Sequence, residues 1–166
     1  MNVSIFKIGS LQFQPFKMIY LDEETIGEPY MNFTKEQKKT LPEGSAVLNC
    51  HIQQGAELSP ELVAKSFHKA KTFFLEYFSE EKYKAFICYS WLLYPPMLKL
   101  LSESSNIKQF SSHFTIIGTC SDSEQAMEYL FSHRTKKEYA ANLTYLQKIA
   151  LEHSNKFGFA CGIIAI

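Results

Sequence analysis

The stretch Cys88–Pro96, CYSWLLYPP, combines a thiol, hydroxyls, the chain's one tryptophan and a double proline. A buried strand needs neither thiol nor hydroxyl. Either this strand ends at a reactive site, or the prolines simply stop a bulky strand. A second candidate lies upstream in AVLNCHI, residues 46–52. Alternation there sends Leu48, Cys50 and Ile52 one way and Val47, Asn49 and His51 the other. A neutral imidazole at His51 could take a proton from an amine or a hydroxyl. The same residue could also be a strand histidine hydrogen-bonded for structure alone. Ser90 and Cys88 share one face of the later strand and could meet His51 if the two strands pair in register. A Cys88–His51 pair would support nucleophilic chemistry, but no third group is placed to orient the imidazole. Cys88 otherwise reads as a small core residue. Trp91 is a packing anchor or the wall of a substrate pocket. Tyr89 and Tyr94 are proton donors or half-buried tyrosines. Ser105 and Asn106 either hold local turn geometry or position a substrate.

These residues need a scaffold, and the hydrophobic periodicity supplies one. VSIFKI and LQFQPF, separated by Gly9-Ser10, predict two short strands, with Leu11 and Phe13 on one face and Gln12 and Gln14 on the other. Residues 22–46 read as a long surface connection with one short helical turn. The strand at 46–52 is followed by a turn around Gly55, then Ser59 as N-cap and Pro60 as first helical residue. Val63, Phe67, Ala70, Phe74 and Tyr77 recur at helical spacing over about 18 residues. YKAFICYSWLL, 83–93, predicts a strand apolar on both faces, stopped by Pro95 and Pro96, which open the short helix PMLKLL. QFSSHFTIIGTC, 109–120, predicts a third strand. A capping box at Ser121–Glu124 opens a helix reaching Phe131. NLTYLQKIALEH predicts another helix, with Leu143, Leu146, Ile149 and Ala150 as its apolar side, and FACGIIAI a final strand. The order predicts an α/β (α+β) fold: a mixed central sheet, parallel across the strand–helix–strand unit, with helices on both faces.

At 166 residues with zero formal charge, the chain suits a single folded domain, 1–166, and lacks the clustered cations that nucleic acid binding needs. No apolar run approaches a membrane span and no leader precedes a cleavage site, so the expectation is a cytoplasmic protein with neither nucleic acid nor membrane as partner. Cys50, Cys88, Cys120 and Cys161 form no C-x-x-C pair, so no metal site is expected.

His51-Ile52, Cys88, Ser90-Trp91-Leu92-Leu93, Pro95, Ser105-Asn106-Ile107 and Phe110, with IGSLQF near the start, resemble the C-terminal GNAT-like domain of a bacterial acyltransferase family. The likeness runs from about Gly9 to the end. It implies a GNAT-type fold and an acyl-CoA donor, acetyl-CoA or longer. It also implies a small-molecule partnership in which the acyl group passes to the nitrogen or oxygen of an unidentified acceptor. The family pairs this domain with a preceding helical domain, not seen in this chain. By the same resemblance the cofactor site comprises Ile52, Gln53, Gln54, Gly55 and Ser59, where backbone N–H groups at the start of a helix meet the pyrophosphate. His51 and Ser90 are then the catalytic candidates. Asn49, Cys88, Trp91, Ser105 and Asn106 are the pocket candidates, around a gap where two parallel strands splay. The turn departs from the family pattern: it has one glycine, an acidic Glu57 and no arginine. Those departures would suit the alternative, a non-catalytic GNAT-like module that binds a protein or metabolite.

Overall fold

A computed structural model describes residues 4–28, 30–131 and 144–166. Six strands form one mixed sheet in the order β1-β2-β3-β4-β6-β5. The strands are β1 (Phe6–Ile8), β2 (Leu11–Lys17), β3 (Ala46–His51), β4 (Ala85–Ser90), β5 (Thr115–Cys120) and β6 (Phe159–Ala165). Only β3 and β4 run parallel, and they are joined by the crossover helix α3 (Pro60–Tyr77). The α/β class and the mixed sheet are those read from the sequence.

The β1–β2 hairpin turns at Gly9, whose φ of +66° is a left-handed conformation that glycine adopts without strain. A side chain there would strike Ser66 of α3. The Ser66 hydroxyl instead accepts from the Ser10 N–H at 3.0 Å, which docks the hairpin on the helix. Leu11 and Phe13 point under α3 and are fully buried, beside Val63, Phe67, Ala70 and Phe74. Tyr77, the last residue of the predicted stripe, is 65% exposed and lies against the Phe73 ring instead.

The opposite face is covered by different elements. The segment at 22–46 carries two short helices, α1 (Glu23–Ile26) and α2 (Lys35–Thr40), where one turn was expected. It also contributes Met31 and Leu41 to the core. The Tyr20 hydroxyl donates to the Leu41 carbonyl at 2.6 Å and anchors the end of α2. Across this face lie Met97 of α4 (Pro95–Leu98), Ala126 of α6 (Glu124–Phe131), and Ile149 and Ala150 of α7 (Tyr145–Glu152). The sheet is thus sandwiched by helices, and its central strands are apolar on both sides.

Three predicted boundaries are corrected. The strand expected at 83–93 ends at Ser90, because its hydroxyl accepts from the Leu92 N–H and turns Trp91–Leu93 into a 3-10 helix. The strand expected at 109–120 begins only at Thr115. Before it, α5 (Asn106–Ser111) is helical, and helical spacing buries Phe110 and Ser111 together. The alternation in QFSSHF carried no information about which period would win. Finally, Asp122 rather than Ser121 accepts from the Glu124 N–H, at 2.9 Å, so α6 starts two residues later than a Ser121 cap would place it. A reciprocal capping box does form at Thr144 and Gln147, opening α7. Leu143, assigned to the apolar side of this helix, lies outside the described residues.

Candidate functional site

The β3–β4 pairing covers only Val47↔Ala85, Leu48↔Phe86 and Asn49↔Ile87. Both strands continue, but separately. Cys50 and His51 stay paired with Phe13 and Gln12 of β2, while Cys88, Tyr89 and Ser90 stay paired with Gly162, Cys161 and Ala160 of β6. The seam therefore opens toward the carboxyl ends of two parallel strands, where ligands enter open α/β sheets. A cleft of about 380 Å³ occupies the opening. Asn49, His51 and Ile52 line one lip, Tyr89, Ser90 and Trp91 the other, and Gln125 and Tyr129 of α6 close one side.

His51 sits on the face opposite α3, as its parity with Val47 requires. Its Nε2 lies 2.9 Å from Oε1 of Gln14, a residue only 9% exposed. Burial pushes the imidazole pKa below its ordinary value, so the ring is neutral at pH 7. A neutral, hydrogen-bonded imidazole at the mouth of a cleft can accept a proton.

The other candidates separate clearly. Ser90 borders the same cleft, but it shares the parity of Phe86 and Cys88 and so sits on the α3 side of the sheet from His51; its oxygen accepts from the Leu92 N–H at 3.1 Å, and the hydroxyl keeps a proton to donate. Trp91 both packs and lines. Its ring lies 5.4 Å from that of Tyr129, and its backbone N–H donates to Oε1 of Gln125 at 3.2 Å. Tyr89 presents its ring to the cleft, but its hydroxyl donates to the Ile19 carbonyl at 2.7 Å, and burial holds the phenol well above its ordinary pKa. Tyr94 is packed against Gly158, outside the cleft. Cys88 lies on the α3 side with Phe86. A thiol–thiol hydrogen bond with Cys50, together with burial, raises its pKa well above the ordinary range. Cys88 and His51 thus face opposite sides of the sheet, and the nucleophilic pairing has no geometry to support it. Ser105 and Asn106 also lie away from the cleft: Ser105 N–H donates to the Ser102 carbonyl at 3.0 Å, and Asn106 begins α5.

The turn after β3 closes through the Ala56 N–H to the Gln53 carbonyl at 3.0 Å, with Gly55 at φ +79°. Ser59 gives α3 no side-chain cap, which leaves the N–H groups of the first turn without that partner. Gln53, Gln54, Gly55 and an exposed Glu57 line a groove of about 530 Å³ that continues to Lys7, Lys65 and Lys69. These residues fit the phosphate end of a nucleotide-bearing acyl donor: three cations and a helix start converge there, and Glu57, being exposed, is free to turn into water. Tyr129 of α6 lines the cleft, and burial raises its phenol pKa above the ordinary value.

Gln14, Gln125 and Tyr129 were not singled out from the sequence. Gln14 had a readable signal: alternation in β2 puts it on the polar face, which becomes the cleft side once β2 pairs with β3. Gln125 and Tyr129 had none, because nothing local tells which helix will lie across a strand opening. Among the described residues no helix is long and apolar enough to cross a membrane, and no group of three or more His, Cys, Asp or Glu side chains could hold a metal ion.

Solved structures share this architecture. An acyltransferase in complex with decanoyl-CoA matches at a TM-score of 0.71 and 22% identity, covering 98% of this chain and 46% of that one. An acyltransferase in complex with decanoyl-CoA and teicoplanin matches at 0.70 and 20%, covering 97% and 46%. An acyltransferase mutant in complex with octanoyl-CoA matches at 0.71 and 19%, covering 98% and 46%. The chain therefore spans less than half the length of these acyltransferases. No curated protein matches it. The strand order, the opened seam and these shared architectures agree with the sequence match over residues 5–164, and the chain belongs to the family of GNAT-like C-terminal domains.

Proposed function

We propose that the chain is the acyl-CoA-dependent catalytic module of an N- or O-acyltransferase. The observation that carries this reading is the opening of the β3–β4 seam onto a cleft with His51 on one lip and Ser90 on the other. Acyl-CoA, when bound, supplies a thioester carbonyl and a thiol leaving group. Gln53–Gly55 and the adjoining lysines would hold its phosphates, and the β3 edge beyond Asn49, unpaired on the side of β4, would face its pantetheine arm. Ile52, Trp91 and Tyr129 offer an apolar wall to the acyl chain. His51 takes the N–H or O–H proton as the acceptor attacks the carbonyl carbon. Ser90 donates a hydrogen bond toward the departing sulfur, which leaves with a proton from solvent. Neutrality of His51 is what the role needs, since an imidazolium has no lone pair to accept with.

Acyl-CoA complexes of the structural neighbours support the choice of donor, and the teicoplanin complex shows that one of them takes a large acceptor. The test is calorimetry and thermal shift with acetyl-, octanoyl- and decanoyl-CoA. Binding at a hundredfold excess over Kd should stabilise the fold by about 2.7 kcal/mol. No response to any of the three at millimolar concentration would sink the proposal. One observation favours a second reading, a non-catalytic module: the acidic Glu57 lines the groove that the phosphates would occupy. That reading expects binding without thiol release, whatever acceptor is supplied.

A further inference from the structure

We propose that Gln14 is the positioning residue of the site: its side-chain carbonyl holds the His51 imidazole in the Nε2–H tautomer and leaves Nδ1 as the proton acceptor. The inference rests on the acyltransferase reading above. The β2–β3 register sets Gln12 opposite His51 and Gln14 opposite Asn49, so Gln14 reaches His51 along the diagonal of one sheet face. The contact is 2.9 Å from Oε1 to Nε2, and Gln14 is buried. A buried amide oxygen demands a donor, and it can only accept. With the amide oxygen facing the ring, the proton resides on Nε2 and the remaining ring nitrogen carries the lone pair; an amide turned by 180° would donate instead and place the proton on Nδ1.

The choice of an amide over a carboxylate has a consequence. A carboxylate would orient the ring equally well but would stabilise the imidazolium and spoil the base near neutral pH. The groups around His51 keep to the same rule. Gln12 and Gln14 come from β2, Tyr89, Ser90 and Trp91 from the end of β4, and Gln125 and Tyr129 from α6, none with a charged form near pH 7. Cys50, its neighbour in β3, points to the α3 side. Gln14 thus fixes direction without adding charge.

Nitrogen-15 NMR of the whole chain reads the tautomer directly, with His51→Ala assigning the signal. The wild type should show protonated Nε2 and bare Nδ1. Gln14→Leu should mix the tautomers and lower kcat by about tenfold to a hundredfold with the donor KM unchanged. Gln14→Glu should restore orientation but raise the titration midpoint of His51 by about 1–3 pH units, and the acid limb of kcat should move with it. A wild-type signal with the proton on Nδ1 would overturn the proposal. So would a Gln14→Leu protein with the tautomer and midpoint of the wild type. Should a variant fail to fold, the wild-type tautomer still decides. A protein that never releases thiol from acyl-CoA refutes the acyltransferase reading and leaves the tautomer result to be judged by itself.

Discussion

The seam between β3 and β4 has a paired part and an open part of opposite character. In the paired half, Val47, Leu48 and Ile87 are at most 1% exposed, and both faces are dry. Beyond Asn49, the last paired residue of β3, His51 and Ser90 put polar groups at the lips of a cleft. The strands do not end where the pairing ends. Each is kept extended by its outer neighbour, β2 or β6, so the sheet tolerates the gap without losing strand geometry. An opening of this kind exposes backbone and polar side chains of the central strands, and the outer ladders hold both strands extended across it. The lesson is that the site is built by withholding one ladder in the middle of a sheet, while the rest of the sheet holds the lips in place.

That contrast can be broken from either half. The largest effect is expected in the dry half. Ile87→Ala should cost about 2–5 kcal/mol in urea denaturation, because a buried branched side chain is replaced by a cavity. It should weaken donor binding only through loss of folded protein. In the open half, His51→Ala should lower thiol release from acyl-CoA per folded molecule by about a hundredfold or more, equivalent to about 2.7 kcal/mol of barrier, and should also cost about 1–3 kcal/mol of stability by leaving the buried Gln14 unpaired. If the histidine were structural, the stability loss would appear alone, and thiol release per folded molecule would match the wild type.

A smaller effect comes from pH. Burial lowers the His51 pKa from 6.5 in the unfolded chain, so below pH 6.5 the unfolded state binds the proton better. The stability contribution of neutral His51 is complete above pH 6.5 and is lost as pH falls from there through the lower folded value. Urea midpoints measured from pH 7.5 downward should show this slope, and His51→Gln should flatten it. The acid limb of turnover should likewise lie below the ordinary histidine value. A limb above pH 6.5 would contradict the assignment of His51 as a base made more acidic by burial. The smallest change is expected for Tyr129→Phe, which removes a partly buried hydroxyl at the cleft wall beside the turn. A loss of about 0.5–1.5 kcal/mol is expected. Faster acyl-CoA association in the variant would mean that the hydroxyl competes with the donor for the turn.

Local pattern alone determined much of this protein. The alternation of Leu11 and Phe13 against Gln12 and Gln14, the helical stripe Val63–Phe74 after Ser59-Pro60, and the both-sided apolar run at 85–90 fixed the element types, because each reflects the period of its own backbone. They also placed His51 on the polar side of β3 beside a turn. The sequence resemblance added the family and the expectation of a splayed seam. What only the tertiary structure decided is which distant residues meet. Helical packing of Phe110 overrode the strand-like alternation of its neighbours. The Ser90 hydroxyl ended β4 by capping a turn, which sent Trp91 into the cleft wall. Cys88 and His51 fell on opposite faces through parity across two strands, a relation that neither strand contains by itself. Gln14, Gln125 and Tyr129 joined the site from β2 and α6, because a cleft is a coincidence of elements brought together by burial, and burial acts on the whole chain at once.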